Sequence, residues 1–196
     1  MEYYAKIALK AAPGGACIRQ REVLRMKVLL TYSSRTGNTE KVAKAIREVV
    51  PAGTAFYKIS DAPGPEEFDI VIVGFWIDKG KPNKEALDYL LTVKNKKTAF
   101  FFTLGARPDS PHGQKCIEEV RALFRDNLLL GEFVCQGKID EKLIESFKSF
   151  PPGHHHAITE ESLKRYEMAA GHPDDADLLR AGETFRKIFL HVDGEE

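Results

Sequence analysis

The sequence predicts an α/β fold, a three-layer sandwich on a five-stranded parallel sheet with a helical extension at its carboxyl end. Three observations predict it. Short β-rich runs alternate with segments of helical periodicity across residues 26–150. Two of those runs, Asp69-Ile-Val-Ile-Val-Gly74 and Thr98-Ala-Phe-Phe-Phe-Thr103, are apolar almost throughout, the pattern of strands covered on both faces. Beyond residue 150 the pattern is helical only.

Taken in order, Lys27 to Tyr32 reads as the first strand. The polar loop Ser33-Ser-Arg-Thr-Gly-Asn38 leads into a helix over Thr39–Val50, with Val42, Ile46, Val49 and Val50 on one face and Lys41, Lys44 and Arg47 on the other. Pro51-Ala-Gly53 ends it, and Thr54 to Ile59 is a shorter second strand. Residues 60–68 are too short and too rich in Pro and Gly for a crossover helix. The third strand, Asp69–Gly74, is followed by a loop, Phe75 to Asn83, and a helix that turns Ala86, Leu87, Leu90 and Leu91 inward. The fourth strand, Thr98–Thr103, precedes a long loop, Gly105–Gly113, and a helix with Cys116, Ile117, Val120 and Phe124 at helical spacing. Leu128–Cys135 is a fifth strand interrupted by Gly131, and Asp140–Phe150 a helix with Leu143, Ile144 and Phe147 inward.

Two flanking regions stand apart. Residues 1–25 carry weak patterning around Ala11-Ala-Pro-Gly-Gly-Ala16 and read as a weakly ordered arm, or as sequence from an upstream start codon with Met26 as the working start. A short helix over Tyr3–Ala11 would place Tyr4, Ile7, Ala8 and Ala11 on one face. Residues 151–196, opened by Pro151-Pro-Gly153, read as an extension packed on the domain. It has helices over Thr159–Ala170 and Asp174–Phe189, the second with Leu178, Phe185, Ile188 and Phe189 on one face and Leu179 and Ala181 beside them.

Composition excludes several classes. Twenty-nine basic residues balance 29 acidic ones in the 196-residue chain, so no basic excess marks a nucleic-acid binder. The arm holds five basic and two acidic residues, which leaves 24 against 27 in the remainder, a net charge of −3. The apolar windows around residues 70–76 and 99–104 are far shorter than the roughly 20 residues that span a bilayer. Residues 1–25 lack a continuous apolar stretch of signal-peptide length. Three widely spaced cysteines, Cys17, Cys116 and Cys135, argue against a disulfide framework or zinc ribbon and fit a reducing compartment. The expectation is a soluble, cytoplasmic protein.

In open α/β sheets ligands sit beyond the carboxyl ends of the strands. Three loops occupy that position: 33–39, 74–83 and 103–113. In the first, Ser34, Thr36, Asn38 and Thr39 surround Gly37 between a strand and a helix. A phosphate there would meet unpaired helix amides, hydroxyls and one side-chain amide. The loop is neither a G-x-G-x-x-G fingerprint nor a Walker A sequence, whose Gly-Lys-Ser/Thr ending is absent. The alternative is an ordinary turn with Asn38 or Thr39 as helix cap. A cap needs one such residue, and four in six positions exceed that need.

Ser34-x-Thr36-Gly37-Asn38-Thr39 after a first strand resembles the phosphate loop of flavodoxins, and the element order of residues 26–150 resembles that fold. The resemblance implies FMN as cofactor, held at its phosphate by Ser33, Ser34, Arg35, Thr36, Gly37, Asn38 and Thr39. It further implies that Gly74, Phe75 and Trp76, and Thr103, Leu104, Gly105 and Asp109, border the ring, with Trp76 stacking on it. The sequence departs from flavodoxins in two respects: residues 105–113 hold no aromatic, which would leave one ring face more open, and the chain lacks the marked acidity of the electron-shuttle members. Thr-Leu-Gly-x-x-Pro-Asp-Ser (residues 103–110) and His-Pro-Asp-x-x-Asp (residues 172–177) resemble a small bacterial group that includes the flavodoxin-like component accompanying bilirubin reductase.

What this resemblance implies is an FMN-dependent electron carrier serving a partner oxidoreductase. A flavin-dependent reductase using reduced nicotinamide and a flavin-free interaction subunit remain the alternatives. Gly74 or Gly80 would permit a peptide flip beside the ring, and Asp78 and Asp109 would lower its potential, or simply form turns. Arg107 would contact the ring edge or face solvent. No catalytic residue of the protein is expected. Cys116 and Cys135 read as small core residues. His154-His-His156 has no second cluster of Cys or His to complete a metal shell, and no metal site is expected.

Overall fold

The computed structural model describes residues 26–151, 154 and 157–192. The expectations for the arm, including the Tyr3–Ala11 helix and Cys17, and those for His155 and His156 lie outside the described residues.

Five parallel strands form the sheet: β1 (Val28–Tyr32), β2 (Ala55–Lys58), β3 (Ile70–Asp78), β4 (Lys97–Leu104) and β5 (Leu128–Gln136). Their spatial order is β2-β1-β3-β4-β5. The order reverses at β1, so the crevice between the carboxyl ends of β1 and β3 is the switch point at which such sheets bind ligands. Beyond the sequence-predicted end at Gly74, β3 runs on and folds back through Lys79 and Gly80, both at positive φ (50° and 83°). The return, Lys81–Pro82, pairs antiparallel with Ile77 and Asp78. Two consecutive left-handed residues make the turn that suits a tight hairpin.

Side-chain alternation along the strands sorts the core into two faces. Leu30, Tyr32, Ile72, Phe101 and Cys135 point to one face, which is covered by α1 (Asn38–Arg47) and α6 (Asp175–Val192). Leu29, Val71, Phe75, Phe100 and Phe102 point to the other, covered by α2 (Lys84–Leu90) and α3 (Pro111–Leu123). The carboxyl-terminal helix is thus the second helix of the first face. It buries Ala181, Phe185, Ile188 and Phe189, with Phe185 edge-on to Phe101 at a centroid distance of 6.1 Å.

Gly74 belongs to this packing. A Cβ there would stand 2.0 Å from Phe101 Cζ, and its carbonyl is held by the Ser33 amide at 2.9 Å. The missing side chain leaves the space that the Phe101 ring fills. Phe75 is fully buried, stacked 5.5 Å from Phe102.

Three expectations about inward faces change. Leu91 lies just past the end of α2 and is 59% exposed; Val93, in the turn that follows, takes the buried position. Leu179 is exposed because the buried stripe of α6 runs through Ala181, Phe185, Ile188 and Phe189. In α4 (Glu141–Lys148) no residue is buried, although Leu143, Ile144 and Phe147 give it an apolar side. The sheet face beside β5 is already taken by α6, so α4 stands at the rim of the carboxyl end of the sheet. The helix before α6, α5 (Glu160–Ala169), is fixed at its start by Thr159 and Ser162, each side chain bonding the other's backbone amide at 3.1 and 2.9 Å.

Candidate functional site

At the switch point β1 runs into Ser33 and Ser34, and α1 begins at Asn38 with Gly37 as its N-cap. Gly37 has φ 90°, a conformation that costs other residues energy, and space is not the constraint, since nothing lies within 4 Å of a Cβ placed there. Having no side chain, Gly37 cannot cap the helix. The Ser34 hydroxyl accepts the Glu40 amide at a long 3.3 Å. Neither Asn38 nor Thr39 acts as the cap, and of the cluster only Ser34 reaches a first-turn amide. The Asn38 and Thr39 amides at the start of α1 have no carbonyl partner within the helix, as first-turn amides never do.

Beside this helix start lies a cavity of about 500 Å3, within the size range of small-molecule and cofactor sites. Ser34, Arg35, Thr36, Asn38 and Thr39 line one end of it. Trp76, Ile77, Asp78 and Lys79 from the β3 hairpin, and Thr103, Leu104 and Gly105 from the end of β4, line its middle. The floor is held by a buried 3.0 Å hydrogen bond between the Thr39 and Thr103 hydroxyls.

Of the residues the sequence singles out, Ser34, Arg35, Thr36, Asn38, Thr39, Trp76, Thr103, Leu104 and Gly105 line this cavity, and Gly37 shapes its rim. The others are placed elsewhere. The Ser33 hydroxyl is buried, donating to Glu85 Oε2 at 2.5 Å and accepting from Asn83 Nδ2 at 2.9 Å. Gly74 and Phe75 are in the sheet core. Asp109 is exposed and paired with Arg107, whose guanidinium holds the carboxyl below the usual aspartate range by hydrogen bonding. Asp78 does line the cavity.

A fourth loop, absent from the sequence reading, completes the site. Gly137, Lys138, Ile139 and Asp140 follow β5 and form the wall opposite the β3 hairpin. Asn38 Nδ2 donates to the Lys138 carbonyl at 2.8 Å, and Arg35 bridges to Asp140 at 2.9 Å while its guanidinium lies 5.8 Å from the Trp76 ring centre. The rule that ligands sit beyond strand ends applies to β5 as much as to β1, β3 and β4, and that signal points to this loop. Leu143 and Phe147 of α4 and Arg165 and Tyr166 of α5 also line the cavity; no sequence motif marks them.

The His-Pro-Asp-x-x-Asp segment secures the fourth loop from behind. Asp177 is 2% exposed, and its carboxylate takes the His172 ring nitrogen at 2.5 Å, the Asp174 amide at 3.1 Å and the Arg180 guanidinium. Asp174 returns the bond, accepting the Asp177 amide at 2.7 Å, which holds its own carboxyl low. The His172 carbonyl then accepts the Lys138 amide at 2.7 Å. The three side chains of this segment converge closely enough to suggest a metal shell. Asp177, however, is already engaged by His172, the Asp174 amide and the cationic Arg180, the arrangement of a helix cap and tether. Cys135, beneath it, has its thiol pushed well up by burial, as a core residue should.

The cavity fits a flavin mononucleotide in the chemistry of its donors: helix amides and hydroxyls for a phosphate at the start of α1, and an indole with aliphatic walls for a planar ring. The fold is flavodoxin-like, and comparison with known proteins agrees. Residues 29–186 match the family model described as a flavodoxin domain, and the chain belongs to that family. It is 34% identical over 173 residues to the flavodoxin-like domain-containing protein BilS of Clostridioides difficile strain CD3, covering 84% of this chain and 97% of that one. A BilS protein of Clostridium symbiosum strain WAL-14163 is 26% identical over 172 residues, covering 78% and 90%. Among solved structures, oxidised Flavodoxin 2 from Bacillus cereus shares the fold at a TM-score of 0.53 and 18% identity, over 84% of this chain and 98% of that one. Among the described residues no helix is long and apolar enough to cross a membrane.

Proposed function

We propose that the chain binds FMN in the switch-point cavity and passes electrons to or from a partner oxidoreductase. The observation that carries this reading is that the uncapped start of α1 and the Trp76 ring open into one cavity. Bound flavin supplies the redox chemistry there. The protein's residues do the rest. The Asn38 and Thr39 amides and the Ser34 and Thr36 hydroxyls hold the phosphate against the positive end of the helix dipole. The indole of Trp76 offers a flat apolar wall to the ring, and Leu104 helps keep water from it. The Arg35–Asp140 bridge ties the first loop to the fourth across the cavity mouth. The acidic Asp78 on the hairpin opposes extra negative charge near the ring and so favours a low potential.

The test is reconstitution of the full chain with excess FMN, removal of unbound cofactor and a visible spectrum. The expected result is a retained, perturbed flavin band near one equivalent per chain, with negligible independent oxidation of reduced nicotinamide by artificial acceptors. Rapid nicotinamide turnover by the chain alone would replace the carrier reading with that of a reductase. Folded protein that retains no flavin would overturn both.

A further inference from the structure

We infer that Phe147 and Tyr166 form the second aromatic wall of the ring end of the cavity, so that α4 and α5 replace the aromatic that the loop after β4 lacks. The inference rests on the FMN reading above. No residue from 105 to 113 is Phe, Tyr or Trp, so the only aromatic that the three sequence-predicted loops bring to the cavity is Trp76. The same cavity is nevertheless bordered by Phe147 and Tyr166.

Each is held there by its helix. Leu143 and Phe147 stand four residues apart on one side of α4, a helix that buries none of its residues in the core yet turns both of these into the cavity. Phe147 packs at a tilt on Phe150 at a centroid distance of 6.5 Å, and the Arg165 guanidinium lies 5.7 Å from the Tyr166 ring centre, contacts that brace both rings where they border the cavity. In α5, Ser162 and Ala169 are buried, and Tyr166 lies between them at the four- and three-residue spacing of the same stripe. The Thr159–Ser162 box fixes the rotation of that helix and with it the direction of Tyr166. The cavity is continuous from these rings to Thr36 and Asn38. An occupant anchored by a phosphate at the helix start and reaching this wall carries a planar, apolar-faced ring, which is the form of the isoalloxazine.

The experiment titrates FMN and riboflavin into the full chain and into Phe147→Leu, Tyr166→Leu, the double variant and Thr36→Val, following flavin fluorescence. Leu keeps the apolar volume and removes the stacking face. Each aromatic variant is expected to weaken FMN and riboflavin by the same factor, roughly tenfold, and to relieve part of the fluorescence quenching. Thr36→Val should weaken FMN alone, because riboflavin has no phosphate to lose. An unchanged far-ultraviolet spectrum, together with a preserved ratio of FMN to riboflavin affinity, shows that the variants are folded with the phosphate end intact. If the parent chain binds flavin and the aromatic variants bind both flavins with unchanged affinity and quenching, the wall does not serve the flavin ring and the inference is overturned. It is also overturned if the aromatic variants lose FMN but keep riboflavin. A folded parent chain that binds neither flavin overturns the FMN reading instead.

Discussion

The two ends of the cavity are built in opposite ways. The phosphate end is one short loop: Ser34 to Thr39 supply its hydroxyls, its glycine and its helix start, and a single left-handed residue, Gly37, aims the amides. The end proposed for the ring draws on the β3 hairpin, the loops after β4 and β5, and two helices from the carboxyl-terminal third of the chain. A phosphate is a compact charge that one helix terminus can satisfy. A planar ring has two faces and an edge, and only segments distant in sequence can surround it. The first end therefore depends on local backbone geometry, and the second on long-range packing. Substitutions should separate the two.

The largest effect is expected at Gly74, in the sheet core. Its Cβ position is occupied by the Phe101 ring, so Gly74→Ala should cost about 3 kcal/mol in urea unfolding. In protein that still folds, the FMN affinity should change little, since Gly74 acts by packing and not by contact. A variant of full stability with altered flavin binding would return Gly74 to the site.

Asp177→Ala comes next. It removes the buried carboxylate that accepts the Asp174 amide at the start of α6 and holds His172, for a loss of about 2 kcal/mol in the same assay. Because the His172 carbonyl holds the Lys138 amide and the Lys138 carbonyl holds Asn38, flavin affinity should fall as well, by a factor shared by FMN and riboflavin. Gly37→Ala should cost about 1 kcal/mol of stability through its positive φ. In titrations it should weaken FMN while leaving riboflavin nearly unchanged, the signature of the phosphate end.

The smallest effect is at Tyr89, remote from both ends. Its hydroxyl donates to the Pro63 carbonyl at 3.0 Å, and burial, aided by Glu66, pushes its pKa up to about 12. The folded state thus favours the neutral phenol. The stability this contributes is whole below pH 10 and is lost as the pH rises through about 12. Tyr89→Phe should cost about 1 kcal/mol at pH 7 and remove this part of the alkaline loss, with no change in flavin binding. Melting curves between pH 7 and 12 measure both.

The same contrast explains what the sequence makes legible. The strands are evident because a parallel sheet covered on both faces leaves unbroken apolar runs, as at Ile70–Val73 and Ala99–Phe102. The Ser34–Thr39 loop stands out as the candidate phosphate site because its residues are consecutive. The three-loop reading misses Gly137 to Asp140, since a short polar stretch before a helix has no distinguishing composition. Leu143 and Phe147 read as core because helical periodicity reports an apolar face without saying what covers it. What covers the sheet there is α6, whose place beside α1 and β5 is a matter of long-range packing. Gly74 and Phe75 illustrate the converse: adjacent to a site in sequence, they serve the core, because consecutive strand residues point to opposite faces and only the strand end reaches the crevice.

The most direct measurement is a crystal structure of the full chain grown with FMN. The arrangement described here predicts the phosphate within hydrogen-bonding distance of the Asn38 and Thr39 amides, and the ring between Trp76 and the α4–α5 wall. A phosphate bound away from the start of α1, or a cavity that stays empty at saturating FMN, would contradict it.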